Sequence, residues 1–439
     1  MILFEKKLLY LKKQLLLIVV VIGFISSAAY GATFYVASSG CNNSYPGTET
    51  QPWCTISTSI RKLSAGDTLY IKNGTYNEEL YITGPSGSAE NRTIISAYPG
   101  HAPVLRGNGV NGGRNKILNA SYLIFSGFTI TNYNQGLFVE GSNHIILDHL
   151  TIYSVGQEAV HIKLNSSYVT AQNNLIHDTR AWQYNGEGFY IGTAQVGDPQ
   201  DNSNNIIIKN NTIYNTNDEA IEFKSGTHDC IADNNIIYDA LLDAAYNNNT
   251  GVGMIEVDPA NDGYNPQSWG SNPNHIVRNN TIFGIRAKVR TAINLNTGAT
   301  AYNNVIYGMT DSFPGINISR AQTETYSRNV YHNTIDLPSS RAVVISGGAT
   351  TDVRNNIGPT TTGNVATSDV YYFNKAGNDY HLVNGSAPIN IGANLTSIVP
   401  VDRDGISRTT GAGPDLGAYE YSSGTPAKMP NPPSNIQVY

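Results

Sequence analysis

One short motif returns along most of this chain and restricts its fold more than any other feature. Its copies are IILDHLTIY (145–153), VTAQNNLIH (169–177), IIIKNNTIY (206–214), CIADNNIIY (230–238), HIVRNNTIF (275–283) and ATAYNNVIY (299–307), with weaker versions in TYSRNVYHN (325–333) and DVRNNIG (352–358). Each clear copy is a short β-branched strand, an Asn-rich corner and a second apolar pair that most often ends in an aromatic. A second segment alternates with it: QGLFVEG (135–141), EAVHIKL (158–164), EGFYIGT (187–193), EAIEFKS (219–225), GMIEVDP (253–259), TAINLNT (291–297), PGINISR (314–320) and RAVVISG (341–347). Period-two alternation over so few residues marks strands with one buried face. The best-aligned copies begin 23 to 32 residues apart. Such strands, with no helical pattern between them, predict an all-β chain wound as a right-handed parallel β-helix of about eight to ten coils. The Asn pairs are expected to stack into a ladder that satisfies corner backbone groups. A β-sandwich is the alternative, but it needs hairpin turns that are not found.

Composition agrees. About one residue in nine is asparagine and glycine is frequent, which disfavours helix and favours turns. Charged residues are 14%, too few for a coiled coil, and the 40% hydrophobics are too many for a disordered chain. Net charge is −6, and four lysines in the leader leave the remainder more acidic still, so no nucleic-acid partner is expected.

Residues 1–31 read as a secretory signal, with a basic start, the apolar run QLLLIVVVIGFISSAA and small residues near Gly31 and Ala32. An uncleaved membrane anchor is the alternative there. No later segment is long and apolar enough to span a bilayer, so an exported, extracellular or cell-surface, monomeric protein is expected. Cys41 and Cys54 bracket a Gly/Pro/Asn-rich loop and are expected to pair, whereas Cys230 reads as a small buried residue. Residues 32–109 read as an N-terminal cap and first coils, with a short capping helix within 52–63, and residues 110–359 as the β-helix core. Residues 360–421 read as a C-terminal capping module and 422–439 as a Pro/Ser-rich linker, in which PPSNIQV looks like the opening of a further domain. Asp402, Asp404 and Asp415 are better explained by turn chemistry than by a cation.

Equivalent positions on successive coils lie about 4.8 Å apart, so register becomes columns of side chains. Aligned on its small residue, the second segment yields three outward columns. The first reads Gln135, Glu158, Glu187, Glu219, then Thr291, Pro314 and Arg341; the second Phe138, His161, Tyr190, Glu222, Glu256, Asn294 and Asn317; the third Glu140, Lys163, Gly192, Lys224, Asp258, Asn296 and Ser319. Stacked carboxylates repel unless a cation or a retained proton sits among them. Hard oxygen donors at this density favour Ca²⁺, with Glu187, Asp218, Glu219 and Glu222 as expected ligands and Glu158 or Glu256 as an outer member. The alternative is a solvated acidic face with partners such as Lys163 and Lys224.

The segment Asp218-Glu219-Ala220-Ile221-Glu222 resembles the acidic calcium motif of the family-nine pectate lyases. Glu219 with Lys224-Ser225 resembles the corresponding strand of the chondroitinase-B and alginate-lyase family, whose lysine is the base. The N-terminal region resembles that of secreted bacterial β-helix proteins acting on polysaccharides, and the C-terminal module that of surface-associated ones. Departures are visible: Asn217 stands where the second family carries an acidic ligand, and the base of the first family falls nearer Asp258.

The resemblance implies β-elimination on an acidic, uronate-containing polysaccharide, with Ca²⁺ neutralising the developing enolate and Lys224 as base. For the leaving oxygen, Tyr190, His161 and Arg180 are candidates. Trp182, Tyr184 and Tyr246, in loops beside this face, are candidates to stack on sugar rings, with loop packing as the alternative, and Lys163 is expected to bind substrate. As an outward residue, Lys224 is expected to contribute little to stability. A glycoside hydrolase, a uronate epimerase and a non-catalytic adhesive β-helix remain alternatives; the Gly-His-Gly and Arg-Ile-Lys segments of polygalacturonases are absent.

Overall fold

The computed structural model describes residues 31–179, 186–193, 201–241, 252–258, 273–284, 291–309, 314–319, 326–337, 342–345, 350–358, 366 and 368–423. Nearly every strand in it belongs to one of three parallel sheets, one of twelve strands and two of ten, in which each strand pairs with its counterparts on the preceding and following coils. This is the parallel β-helix expected from the repeat, and right-handed winding is the hand that parallel crossovers adopt. The sheet that carries the charged columns, the site sheet, contains Arg114–Leu118, Gln135–Glu140, Val160–Lys163, Phe189–Ile191, Ile221–Phe223, Gly253–Val257 and Thr291–Leu295 as successive neighbours. The antiparallel strand pair Tyr372–Asn374 with Asp379–Leu382 lies in the C-terminal module, so a sandwich is excluded for the repeats.

The two asparagines of each corner divide the work. The first takes the left-handed conformation that turns the chain, with φ 56° at Asn173, 57° at Asn210, 54° at Asn234, 58° at Asn279 and 56° at Asn303. Asparagine tolerates that region better than most residues. The second is buried and forms the ladder. Asn174, Asn211, Asn235, Asn280, Asn304, Asn333 and Asn356 follow one another, each receiving backbone and side-chain N–H from the previous one at its Oδ1. Each amide also donates to a carbonyl on the preceding coil, as Asn235 Nδ2 does to Ile208 O at 2.9 Å. Above this ladder the stacked apolar residues, such as Ile162, Ile191, Phe223, Val257 and Leu295, make one continuous core.

Both ends are covered. Cys41 and Cys54 are bonded, and Cys230 is a buried free thiol. The expected capping helix is a short one, Ile56–Ile60, whose N-terminal amides donate to Glu78, from Ile56 N and Ser57 N at 2.9 Å each. Residues 368–423 fold back against the later coils. Tyr380 extends a column of rings, Tyr153, His177, Tyr214, Tyr238, Phe283 and Tyr307, that lines the third sheet. Arg403 Nη1 donates to Asn280 O at 2.9 Å, and Arg408, fully buried against Glu420 at 2.9 Å, reaches Asn303 Oδ1 at 2.8 Å. Asp402 accepts from the amides of Asp404 and Ile406, the turn role read for it, and from Glu420, whereas Asp415 ties separate segments by accepting from the amides of Asn390 and Tyr421. Among the described residues no helix is long and apolar enough to cross a membrane.

The ladder makes a sharp stability prediction. Asn235→Ala strips the acceptor from Asn211 and the donor from Ile208 O inside the core, so it is expected to cost about 3 kcal/mol in denaturant unfolding. Asn234→Gly, one residue earlier at the turn, is expected to change stability by less than about 0.5 kcal/mol. Equal effects at both positions would show that the ladder is not what holds the corner.

Candidate active site

Backbone pairing sets the columns directly. Phe138, His161, Tyr190, Glu222, Glu256, Asn294 and Asn317 are consecutive partners across the site sheet. Glu140 pairs with Lys163, and the amides of Gly192, Lys224, Asp258 and Asn296 continue that column by bonding to the carbonyls of Ile162, Ile191, Phe223 and Val257. Glu158, Glu187 and Glu219 stand on successive coils, because Ala159 N donates to Glu187 O and Gly188 N to Glu219 O. The residue after each of these glutamates is small because the coils touch there: a Cβ on Gly188 would lie 2.5 Å from Ala220 O. No fourth glutamate follows Glu219: Ile221 pairs with Ile255, which sets Gly253 opposite Glu219.

These columns point away from the apolar core, yet they are not a solvated face. Glu187, Asp218, Glu219, Glu222 and Glu256 are each 3–5% exposed. Burial therefore sorts them by partner. Glu187, Asp218 and Glu219 converge, with one carboxylate oxygen from each lying within 4.8 Å of the others. Asp218 Oδ1 is buried and has no hydrogen-bond partner, while Glu187 accepts from Gly186 N at 2.9 Å. Burial first, and then the neighbouring carboxylates, push Glu187 and Asp218 up to about 8 and Glu219 well above the ordinary carboxylate range. Burial raises Glu222 and Glu256 in the same direction. A buried all-oxygen trio with an orphaned acceptor is a donor set that fits a hard divalent cation such as Ca²⁺.

The other expected ligands are engaged elsewhere. Glu222 Oε1 is 2.5 Å from Lys224 Nζ. Glu256 accepts from Gly253 N at 2.8 Å, Asn294 at 2.8 Å and Asn296 at 2.5 Å. Glu158 accepts from Gln135 Nε2 at 2.9 Å. Lys224 also meets Asp258 Oδ2 at 3.1 Å, and its ammonium sits 5.3 Å from the Tyr190 ring centroid. Burial pulls the Lys224 proton affinity down, but Glu222 and Asp258 outweigh it and hold the lysine well above its ordinary value. Lys224 thus faces outward as expected but is only partly exposed and is the counter-ion of two carboxylates, so its loss is expected to cost stability.

Tyr190 is raised by burial, so it keeps its proton. His161 is pushed down to about 3 by burial, with Lys163 adding to the effect, and its Nε2 lies 2.8 Å from Gly192 O. A carbonyl only accepts, so Nε2 carries the hydrogen of a neutral ring. Lys163 lies 3.7 Å from Glu140. Arg180, Trp182, Tyr184 and Tyr246 lie outside the described residues. Asp258, Asn294 and Asn296 were visible as members of the columns. Their work as partners of Lys224 and Glu256 was not, because pairing across a column depends on side-chain reach rather than on register.

A family model described as Pel9A-like, right handed beta helix region, matches residues 34–322. Among solved structures, an alginate lyase from Paenibacillus sp. str. FPU-7 is similar at 20% identity and TM-score 0.59, covering 73% of this chain and 99% of its own. Pectate lyase Pel9A is similar at 17% identity and TM-score 0.63, covering 90% and 98%, and a rhamnogalacturonan lyase at 17% and 0.58, covering 78% and 91%. No curated protein matches the sequence.

The raised carboxyls carry a pH prediction for the metal-free protein. Between the ordinary carboxylate range and about pH 8 the folded trio binds more protons than the unfolded chain, so this contribution to stability is full at low pH and lost as pH rises through about 8. The melting temperature of wild type is expected to fall across that window more steeply than that of Glu219→Gln. Parallel profiles for the two proteins would show that the trio ionises as ordinary exposed carboxylates do.

Proposed function

The chain belongs to the Pel9A-like right-handed β-helix family, and from that footing we propose that it is a secreted, calcium-dependent lyase that cleaves a uronate-containing polysaccharide by β-elimination. The observation that carries this reading is the buried trio Glu187, Asp218 and Glu219, with its unpartnered Asp218 oxygen, beside the Lys224 coil. The trio would hold Ca²⁺, which when bound offsets the stacked negative charge and supplies positive charge for a substrate carboxylate whose neighbouring carbon loses a proton.

The chain's own residues then divide the reaction. Lys224 is the proton acceptor at the carbon alpha to the uronate carboxylate. Its proton affinity is set by Glu222 and Asp258 and falls when the negative charge around it is compensated. The electron pair left on that carbon forms the new double bond as the bond to the glycosidic oxygen breaks. Tyr190, whose proton is retained by burial, stands on the adjoining coil to protonate that oxygen. His161 does not fit this role, since a neutral ring whose N–H is used on Gly192 O has no labile proton to give. The burial of the columns keeps bulk water from the carbanion-like centre. Export to the cell exterior is supported by the leader sequence and by the bonded cysteines.

The test is ultraviolet absorbance of unsaturated product on pectate, alginate and glycosaminoglycans, with and without chelator. Lys224→Ala leaves Glu222 and Asp258 without their counter-ion and is expected to lower melting temperature as well as activity. Lys224→Arg keeps the charge and is the cleaner variant: it is expected to fold and to lose roughly 10³-fold in turnover, because guanidinium does not accept a proton. Chelation is expected to abolish activity and added Ca²⁺ to restore it. New reducing ends without absorbance would mean hydrolysis, and turnover surviving in Lys224→Arg would remove the lysine from the role of base.

A further inference from the structure

The site sheet is charged unevenly along its length. Two to four coils before Lys224, three cations surround one buried phenyl ring: Arg114 and Lys163 each lie 4.9 Å from the Phe138 centroid and Lys116 lies 5.7 Å from it. Phe138 is only 1% exposed, so the ring is a fixed floor for these side chains. Glu140 is the carboxylate they hold, at 2.9 Å from Lys116 and 3.7 Å from Lys163. Glu158, one coil further, takes its hydrogen bond from Gln135 instead. Arg114 makes no ion pair with a carboxylate among the described residues. In the other direction, past Glu256 and Asp258, the second and third columns become neutral: Asn294, Asn296, Asn317 and Ser319.

A second observation lies between the cations and the trio. Gln135 Oε1 and His161 Nδ1 belong to residues that are 8% and 6% exposed, and neither atom has a hydrogen-bond partner. Both are bare acceptors, since the Nε2 of His161 already carries the ring hydrogen. Cations that grip a carboxylate, next to acceptors that lack a donor, match a sugar that carries both an acid group and hydroxyls. His161 itself is wedged edge-on between Phe138, at 4.8 Å, and Tyr190, at 4.6 Å, so the same ring spine links the cationic patch to the Lys224 coil.

We propose that Arg114, Lys116 and Lys163 form an anion subsite that binds the carboxylate of a uronate residue away from the bond that is cleaved, fixing the direction in which the polysaccharide lies along the sheet. This rests on the lyase reading for the position of the reacting bond, but the binding itself does not need turnover. Glu140 occupies the cations in the free protein and is displaced by, or shares them with, the incoming carboxylate. The neutral coils beyond Asn294 then accept the part of the chain whose charge is not read.

The experiment compares wild type, the Arg114→Gln/Lys116→Gln double variant and Glu140→Gln. Steady-state kinetics on oligouronates of increasing length are read beside calorimetric titration of one long oligouronate. The double variant is expected to raise KM about tenfold on long chains with kcat within about twofold, the loss growing with length, and to weaken binding by a similar factor. Glu140→Gln is expected to act in the opposite direction, tightening binding by removing the competing carboxylate. A structural ion pair would not produce that sign. Wild type that cleaves uronate chains while the double variant keeps its KM and affinity overturns the subsite alone. Binding that depends on Arg114 and Lys116 without elimination overturns the lyase reading alone. Weakened binding in Glu140→Gln also overturns the subsite, and no uronate binding by wild type overturns both.

Discussion

Everything in this protein depends on registry between coils. Parallel backbone pairing holds each residue over its equivalent one coil away, about 4.8 Å distant. The buried asparagine run from Asn174 to Asn356 makes slippage costly, because a shift would leave a series of amides unpaired in the core. A coil cannot bury its apolar face alone, so the same registry that aligns the asparagines also aligns Ile191, Phe223, Val257 and Leu295 into one core. Function inherits that geometry: whatever side chain is placed at an outward position on several coils becomes a column.

Columns of like charge are where the fold opposes itself. Aromatic and amide side chains gain from stacking, as the rings from Tyr153 to Tyr307 show, with centroids 4.8–5.1 Å apart. Carboxylates do not. Glu158, Glu187 and Glu219 are stacked and buried, and the chain answers differently at each level: Gln135 donates to Glu158, Lys224 neutralises Glu222, and two asparagines hold Glu256. Glu187, Asp218 and Glu219 converge on one another, and burial first, then their mutual repulsion, raises their proton affinities. Carboxylates held together by a rigid scaffold are a donor set suited to a cation.

The C-terminal residues use the opposite solution. Tyr372, Tyr380 and Tyr419 cover the later rings of the third sheet, and Arg403 and Arg408 spend their donors on coil carbonyls and amides. Apolar area and neutral acceptors there are closed off, while the charged face of the site sheet keeps its own chemistry. Separating the covered face from the charged one leaves the columns free to vary from coil to coil without disturbing the packing of the module.

Much was legible in the sequence because a solenoid turns spacing into space. The Asn-Asn corners, the alternating strands and the membership of all three columns followed from repeat length and period-two alternation, which are local properties, and the Cys41–Cys54 pair from two cysteines bracketing one loop. Even the less regular strand at 253–257 aligned Glu256 with Glu222 as pairing requires. Tertiary structure alone decided how deeply the charged columns are buried and which member meets which. Lys224 lies closer to Glu222 of its own coil, at 2.5 Å, than to Asp258 of the next, at 3.1 Å, and Asp218, outside the columns, completes the trio. Sequence determines which residues share a column because backbone pairing is periodic; it does not determine their partners or proton affinities, because those depend on side-chain reach and on water excluded by the rest of the fold.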